Sequence, residues 1–202
     1  MTFFSKYAAF AAVLFLCFPA AADNAVPGEL GPAVGETIPH DLSTTSASGV
    51  MHSFDTLVGE NGLALFFVRS IDWCPFCQAQ VIEVDGRAQE FKDRGLSVVF
   101  LSYDPPADQQ EFLKRRKIET MLLSDRKSEI IDAFGLRNES YEPGSRGYGV
   151  PHPVIFIINS DKTVAAKLYE DDFLSNAKSY RNRPAVDIIL DAADQAAADG
   201  KI

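Results

Sequence analysis

Apolar residues fall along this chain in short runs, separated by polar stretches rich in glycine and proline. Leu63-Ala64-Leu65-Phe66-Phe67-Val68 is continuously apolar. A run this short, with bulky and aromatic members, predicts a strand buried on both faces. Leu96 to Leu101 and Val154 to Ile158 repeat the pattern, and Met121 to Leu123 is a shorter version. Between the first two runs, Val81, Ile82, Val84, Ala88 and Phe91 are spaced for one amphipathic helix over 78–94, stopped by Gly95. Pro105-Pro106 opens a second helix that reaches about Lys117. A short helix is expected over Glu129 to Phe134, and a polar, glycine-rich loop over Asn138 to Gly149. After the turn Asn159-Ser160-Asp161-Lys162, Thr163 to Tyr169 returns as an antiparallel strand. The stretch Ala185 to Ala198 reads as a final helix. Early alternation of strand and helix followed by a late hairpin predicts an α/β fold with a central mixed sheet and helices on both faces.

The two ends of the 202-residue chain differ. Residues 23–60 are rich in Gly, Pro, Ser and Thr, and are expected to form an extended lead-in with turns, including a hairpin near Gly49. Before them, Lys6 is the only charge among the first 22 residues. An apolar run from Tyr7 to Phe18 follows it, and Pro19-Ala20-Ala21-Ala22 ends the segment. This is the plan of a secretory signal peptide over residues 1–22, cleaved before Asp23. The run is shorter than the roughly 20 residues a membrane-spanning helix needs. Export to an oxidising compartment such as a bacterial periplasm is expected. Residues 61–202 then form the main domain.

Composition narrows the function. With 47% hydrophobic and 23% charged residues, the chain is of the folded globular class. A net charge of -9 repels phosphate backbones and argues against nucleic-acid binding. The basic run Lys114-Arg115-Arg116-Lys117 sits in an acidic region and reads as a solvated helix face.

Cleavage removes Cys17 and leaves Cys74 and Cys77 as the only cysteines. They stand in Trp73-Cys74-Pro75-Phe76-Cys77, between the first strand and the helix after it. A cysteine at a helix N-terminus faces unsatisfied backbone N–H groups and the positive end of the helix dipole, which favour thiolate. Cys77 lies about one turn further on, placed to attack a mixed disulfide formed at Cys74. Pro75 suits the first helical position because it has no N–H to lose there. Trp73 and Phe76 supply apolar contact area around the sulfur. A zinc site needs four ligands, and the histidines His40, His52 and His152 have no ligand-like spacing, so no metal is expected. A structural bond across so tiny a loop stabilises least. The reading is a redox-active pair with no other cofactor.

The CxxC motif, together with Val150-Pro151-His152-Pro153 before Phe156-Ile157-Ile158-Asn159-Ser160-Asp161, resembles the thioredoxin-like superfamily. Within it, the chain from about Val34 onward resembles the redoxin group of secreted thiol–disulfide oxidoreductases and peroxiredoxins. The resemblance implies a thioredoxin-like fold with Cys74 and Cys77 catalytic. It implies a substrate-contacting set of Trp73, Pro75, Phe76, His152 and Pro153. Pro153, with Pro151 as the alternative, would be a cis-proline facing the dithiol. The implied partners are a protein or small-molecule thiol or disulfide, a hydroperoxide in the alternative reading, and a thiol reductant.

Two activities compete. In one, the pair exchanges disulfides. In the other, Cys74 attacks a hydroperoxide and Cys77 resolves the sulfenic acid. The peroxiredoxin pattern of Pro and Thr before the reactive Cys is replaced by Phe67 and Ile71 for Cys74, and by Ser70 and Cys74 for Cys77. Pro153 stands where the family has an activating Arg, leaving Arg69 as a substitute if it points into the pocket. These departures favour disulfide exchange as the expected reaction, with peroxide reduction as the alternative. A non-catalytic binding module of the same fold is a third reading.

Overall fold

The computed structural model describes residues 29–202. The expected signal peptide and cleavage site lie outside the described residues. A seven-stranded mixed sheet runs in the order β2-β1-β5-β4-β3-β6-β7. Its strands are β1 (Thr44–Ser46), β2 (Met51–His52), β3 (Gly62–Phe67), β4 (Leu96–Ser102), β5 (Met121–Ser124), β6 (Val154–Asn159) and β7 (Val164–Leu168). β3, β4 and β5 are parallel, whereas β6 pairs antiparallel with β3 and β7 with β6.

The continuous apolar runs are explained by burial on both sides. Ala64 and Phe66 of β3 join Phe100, Ile155 and Ile157 on one face. There they pack against α2 (Pro75–Asp85), α3 (Ala88–Lys92), α4 (Pro106–Arg116) and α6 (Val186–Ala198). Leu63, Leu65 and Phe67 point the other way, with Val99, Leu101, Phe156 and Ile158. That face is covered by α1 (Phe54–Leu57), α5 (Glu129–Ala133) and Leu30, Ile38 and Leu42 of the lead-in. Alternating residues of one strand thus serve two separate cores.

Two elements differ from expectation. The helix expected over 78–94 begins earlier, at Pro75, and is broken at Gly86-Arg87 into α2 and α3. Glycine is a poor interior helix residue, and Arg87 turns out to pair with Glu90 at 2.7 Å and with Asp187 of α6 at 2.6 Å. The lead-in forms its hairpin near Gly49 as β1–β2, and β1 also pairs antiparallel with β5. The late hairpin β6–β7 forms as expected. None of the helices among the described residues is long and apolar enough to cross a membrane.

Phe66 and Phe100 stack at 4.4 Å between centroids, both fully buried beneath the helix that carries the cysteines. Phe100→Ala should cost about 3–5 kcal/mol through lost transfer energy and a residual cavity. Reversible urea unfolding measures it, and a loss below about 1 kcal/mol would mean that this core collapses around the vacancy.

Candidate active site

The site begins where β3 ends. Val68 still donates to the Leu101 carbonyl at 3.0 Å, and the chain then leaves the sheet. The turn that follows is held by Asp104, a carboxylate only 3% exposed. Its oxygens accept from Ser70 Oγ at 2.7 Å, the Ile71 N–H at 2.5 Å and Ser102 Oγ at 2.7 Å. Ser70 Oγ in turn accepts from the N–H groups of Asp72 and Trp73, at 3.1 and 3.2 Å. Burial pushes the Asp104 carboxyl above its ordinary range, and the hydrogen bonds from Ile71, Ser70 and Ser102 oppose that shift.

This turn delivers Cys74 to the N-cap of α2, with Pro75 at the first helical position. Cys74 Sγ accepts from the Cys77 N–H at 3.3 Å, satisfying one of the free donors of the helix start. Cys74 and Cys77 form a disulfide, with Cα atoms 5.3 Å apart. The two cysteines are 1% and 0% exposed.

Two stretches enclose the pair. The expected polar loop, Asn138 to Gly149, reaches the turn through Tyr141, whose hydroxyl accepts from Arg69. Arg146 of the same loop pairs with Asp72 at 2.7 Å, and its carbonyl accepts from Tyr103 Oη at 2.5 Å. Trp73 donates from Nε1 to Tyr103 Oη at 2.9 Å. On the other side, the connection between β7 and α6, residues 169–185, forms a strap. Tyr180 of the strap meets Phe76 edge-on at 6.1 Å and lies 3.8 Å beneath the Arg69 guanidinium.

Two cations belong to this enclosure, one buried and one half-buried. Arg69, 4% exposed, lies over Trp73 at 5.0 Å and Tyr141 at 5.5 Å as well as Tyr180. Aromatic faces thus stand in for a counter-ion. Arg183 directs Nη2 to Cys77 Sγ at 3.7 Å. Burial and the nearby Arg69 pull the Arg183 guanidinium down to about 10, and Glu170 acts in the opposite sense.

The expected substrate-contacting residues divide accordingly. Trp73 and Phe76 line the enclosure, and Pro75 is exposed at the helix start. His152 packs its ring against Phe173 at 4.9 Å, and its side chain makes no hydrogen bond to either sulfur. Burial, then Arg69, lowers its pKa to about 4. Pro153 shares a small cavity with Gln80 and Arg183, on the Cys77 side of the pair. The expectation of a cis bond at Pro153 or Pro151 is overturned, since no peptide among the described residues is cis. The chain is already committed to an extended entry here. Pro151 bridges Arg137, the His152 N–H donates to Leu136, and Val154 is in register with Phe67. Among the described residues no cluster of His, Cys, Asp and Glu is placed to hold a metal.

Arg183, Tyr180, Tyr103 and Asp104 are absent from the sequence-based site. The basic, proline-closed stretch Arg181-Asn182-Arg183-Pro184, which carries Arg183, plays no part in it either. Nothing local connects it with Cys77.

A disulfide at the start of a helix, just beyond the C-terminal end of an inner strand in a mixed sheet with helices on both faces, fits an oxidoreductase of thioredoxin-like fold. Residues 34–167 match the AhpC/TSA family, and the chain belongs to that family. It is 25% identical over 183 residues to the 1-Cys peroxiredoxin PER1 of Zea mays, covering 81% of this chain and 76% of the relative. Peroxiredoxin Bcp of Escherichia coli K12 is 23% identical over 147 residues, covering 73% of this chain and 92% of the relative. The structure of Peroxidoxin BcpB from Mycobacterium tuberculosis superposes with a TM-score of 0.64 at 22% identity, over 83% of this chain and 98% of the other. That superposition supports the fold.

Two outcomes test this geometry. Asp104→Ala leaves the Ile71 N–H and two hydroxyls without their acceptor and should destabilise the protein by about 2–4 kcal/mol in urea unfolding. A near-neutral result would mean that the turn holds itself. His152 binds its proton less tightly when folded than when unfolded. Stability should therefore fall as the pH drops from about 6.5 toward 4, where the unfolded chain takes up a proton that the folded one refuses. The difference in melting temperature between wild type and His152→Gln should open across that window, and parallel curves would count against it.

Proposed function

We propose that this protein is a thiol peroxidase that reduces a hydroperoxide with the Cys74–Cys77 dithiol. One thiolate attacks the terminal peroxide oxygen, and the O–O bond breaks to release an alcohol or water. The resulting sulfenic acid is attacked by the second cysteine, which expels water and forms the disulfide. A thiol reductant then returns two electrons and two protons. The N–H donated to Cys74 favours that sulfur as the first nucleophile, whereas the Arg183 guanidinium favours Cys77.

The observation that carries this reading is the enclosure of both sulfurs. A protein disulfide must bring a bulky partner in line with the attacking sulfur, whereas a hydroperoxide is small enough to enter beneath the strap. The kinship with peroxiredoxins supports the same reading. Arg69 and Arg183 also answer the objection that no guanidinium stands where the family has one. Arg183 brings positive charge to within 3.7 Å of Cys77 Sγ, where a transition state with a negatively charged leaving oxygen needs it, and Arg69 lies one residue-layer back, over Trp73. The signal-like residues 1–22 support placing the reaction in an oxidising compartment such as a periplasm.

The reduced protein should consume hydrogen peroxide or an alkyl hydroperoxide with one disulfide formed per peroxide. Cys74→Ser and Cys77→Ser should each abolish turnover, and the variant that keeps the first nucleophile should accumulate a dimedone-reactive sulfenic acid. Rapid reduction of insulin disulfides, with peroxide consumed no faster than by free cysteine, would replace this reading by disulfide exchange.

A further inference from the structure

We infer that the strap arginine Arg183 is the counter-ion of a Cys77 thiolate in the reduced protein, and thereby sets how strongly oxidising the disulfide is. The inference concerns the same dithiol as the proposed function, but it does not require that peroxide be the oxidant. Arg183 lies beyond the residues that match the family, on the connection between β7 and α6.

Three observations converge. Among the described residues, Arg183 is the cation whose side chain reaches a sulfur, with Nη2 3.7 Å from Cys77 Sγ. Its Nη1 donates to carbonyls of its own strap, Tyr180 and, at 2.6 Å, Asn182, which fixes the direction of the fork. Neither Arg183 nor Arg69 takes part in an ion pair among the described residues, and the Nε atoms of both are buried without a partner. Arg183, half-buried beside a neutral disulfide and without a carboxylate paired to it, is a charge that is costly to leave uncompensated. Around the two guanidiniums stand His152, held neutral near pH 7, the phenols of Tyr141 and Tyr180, and Glu170, the nearby carboxylate that acts on Arg183.

Reduction removes the imbalance. Two electrons and two protons from a thiol reductant convert the disulfide into two thiols while the reductant becomes a disulfide. Cys77 then releases its proton to solvent, and the thiolate faces Arg183. The reduced form gains an ion pair that the oxidised form lacks, so the equilibrium shifts toward reduction. Cys77, rather than the helix-capping Cys74, becomes the more acidic thiol.

The test uses the full-length mature chain in glutathione buffers, with thiolate absorbance near 240 nm as a second readout. Arg183→Gln should make the disulfide at least tenfold more persistent, about 30 mV more reducing. Arg183→Lys should recover most of the difference. In a Cys74→Ser background the remaining thiol should titrate below pH 7, and adding Arg183→Gln should raise its midpoint by at least one pH unit. In a Cys77→Ser background the same change should move Cys74 by less than a third of that. A glutathione equilibrium unchanged within twofold in folded Arg183→Gln would overturn the inference. So would equal shifts of both cysteines. If Arg183→Gln does not fold, the Cys74→Ser protein decides alone, since a Cys77 midpoint at or above the ordinary 8.5 sinks the idea. Loss of peroxide turnover with these equilibria intact would instead refute the proposed function.

Discussion

The structure depends on the two-sided burial of β3. Flanked in register by β4 and β6, and covered by a separate core on each face, this strand has no freedom to slip or tilt. Its C-terminal end is therefore a fixed point from which the chain must leave the sheet. Asp104, emerging just past the end of the neighbouring β4, accepts the hydrogen bonds that the departing backbone and Ser70 can no longer give to a strand. The rigidity of the sheet passes through that carboxylate into the turn, and from the turn into the cap of α2. The position of the sulfurs follows from the core.

What the sheet positions, the loop and the strap enclose. A disulfide is neutral and tolerates an apolar wall, whereas a thiolate needs hydrogen bonds and positive charge. The site holds both kinds of surroundings at once. Phe76 and Trp73 supply apolar area, Arg183 reaches Cys77, and Arg69 is spread over three aromatic faces. The arrangement surrounds the disulfide with apolar area and positive charge together. It also ties two segments far apart in sequence, the Tyr141 loop and the Tyr180 strap, to one guanidinium.

The legible part of this protein is the part whose causes are local. The buried runs of β3, β4 and β6 are apolar on both faces, and that shows in any short window. The dithiol is equally local, since the cap, the proline and the one-turn spacing lie within five residues. The break between α2 and α3 was not legible, because Gly86 marks it weakly and Arg87 reveals its partner Asp187 only in the fold. The hairpin near Gly49 was visible, but its pairing with β5 was not, since register with a distant edge leaves no mark on Thr44 to Ser46. The same holds for the site. Arg69 adjoins the motif, yet its direction depends on Tyr141 and Tyr180. Arg183 was hidden altogether, because a single contact across the strap carries its role. The expected cis-proline failed for the opposite reason. It came from likeness at Val150 to Pro153, and the local pairing of that stretch decides its geometry differently.

Trp73 is the sole tryptophan of the whole chain. It adjoins Cys74, donates to Tyr103, and has Arg69 and Arg146 over its ring. The tryptophan emission of the molecule therefore originates in the wall of the disulfide site. Exchange of the charge beside the ring, or a change in the oxidation state of the neighbouring sulfur, acts on that one fluorophore. The protein carries its own optical probe, and a change at the neighbouring sulfur can be followed without a label or a second tryptophan to subtract.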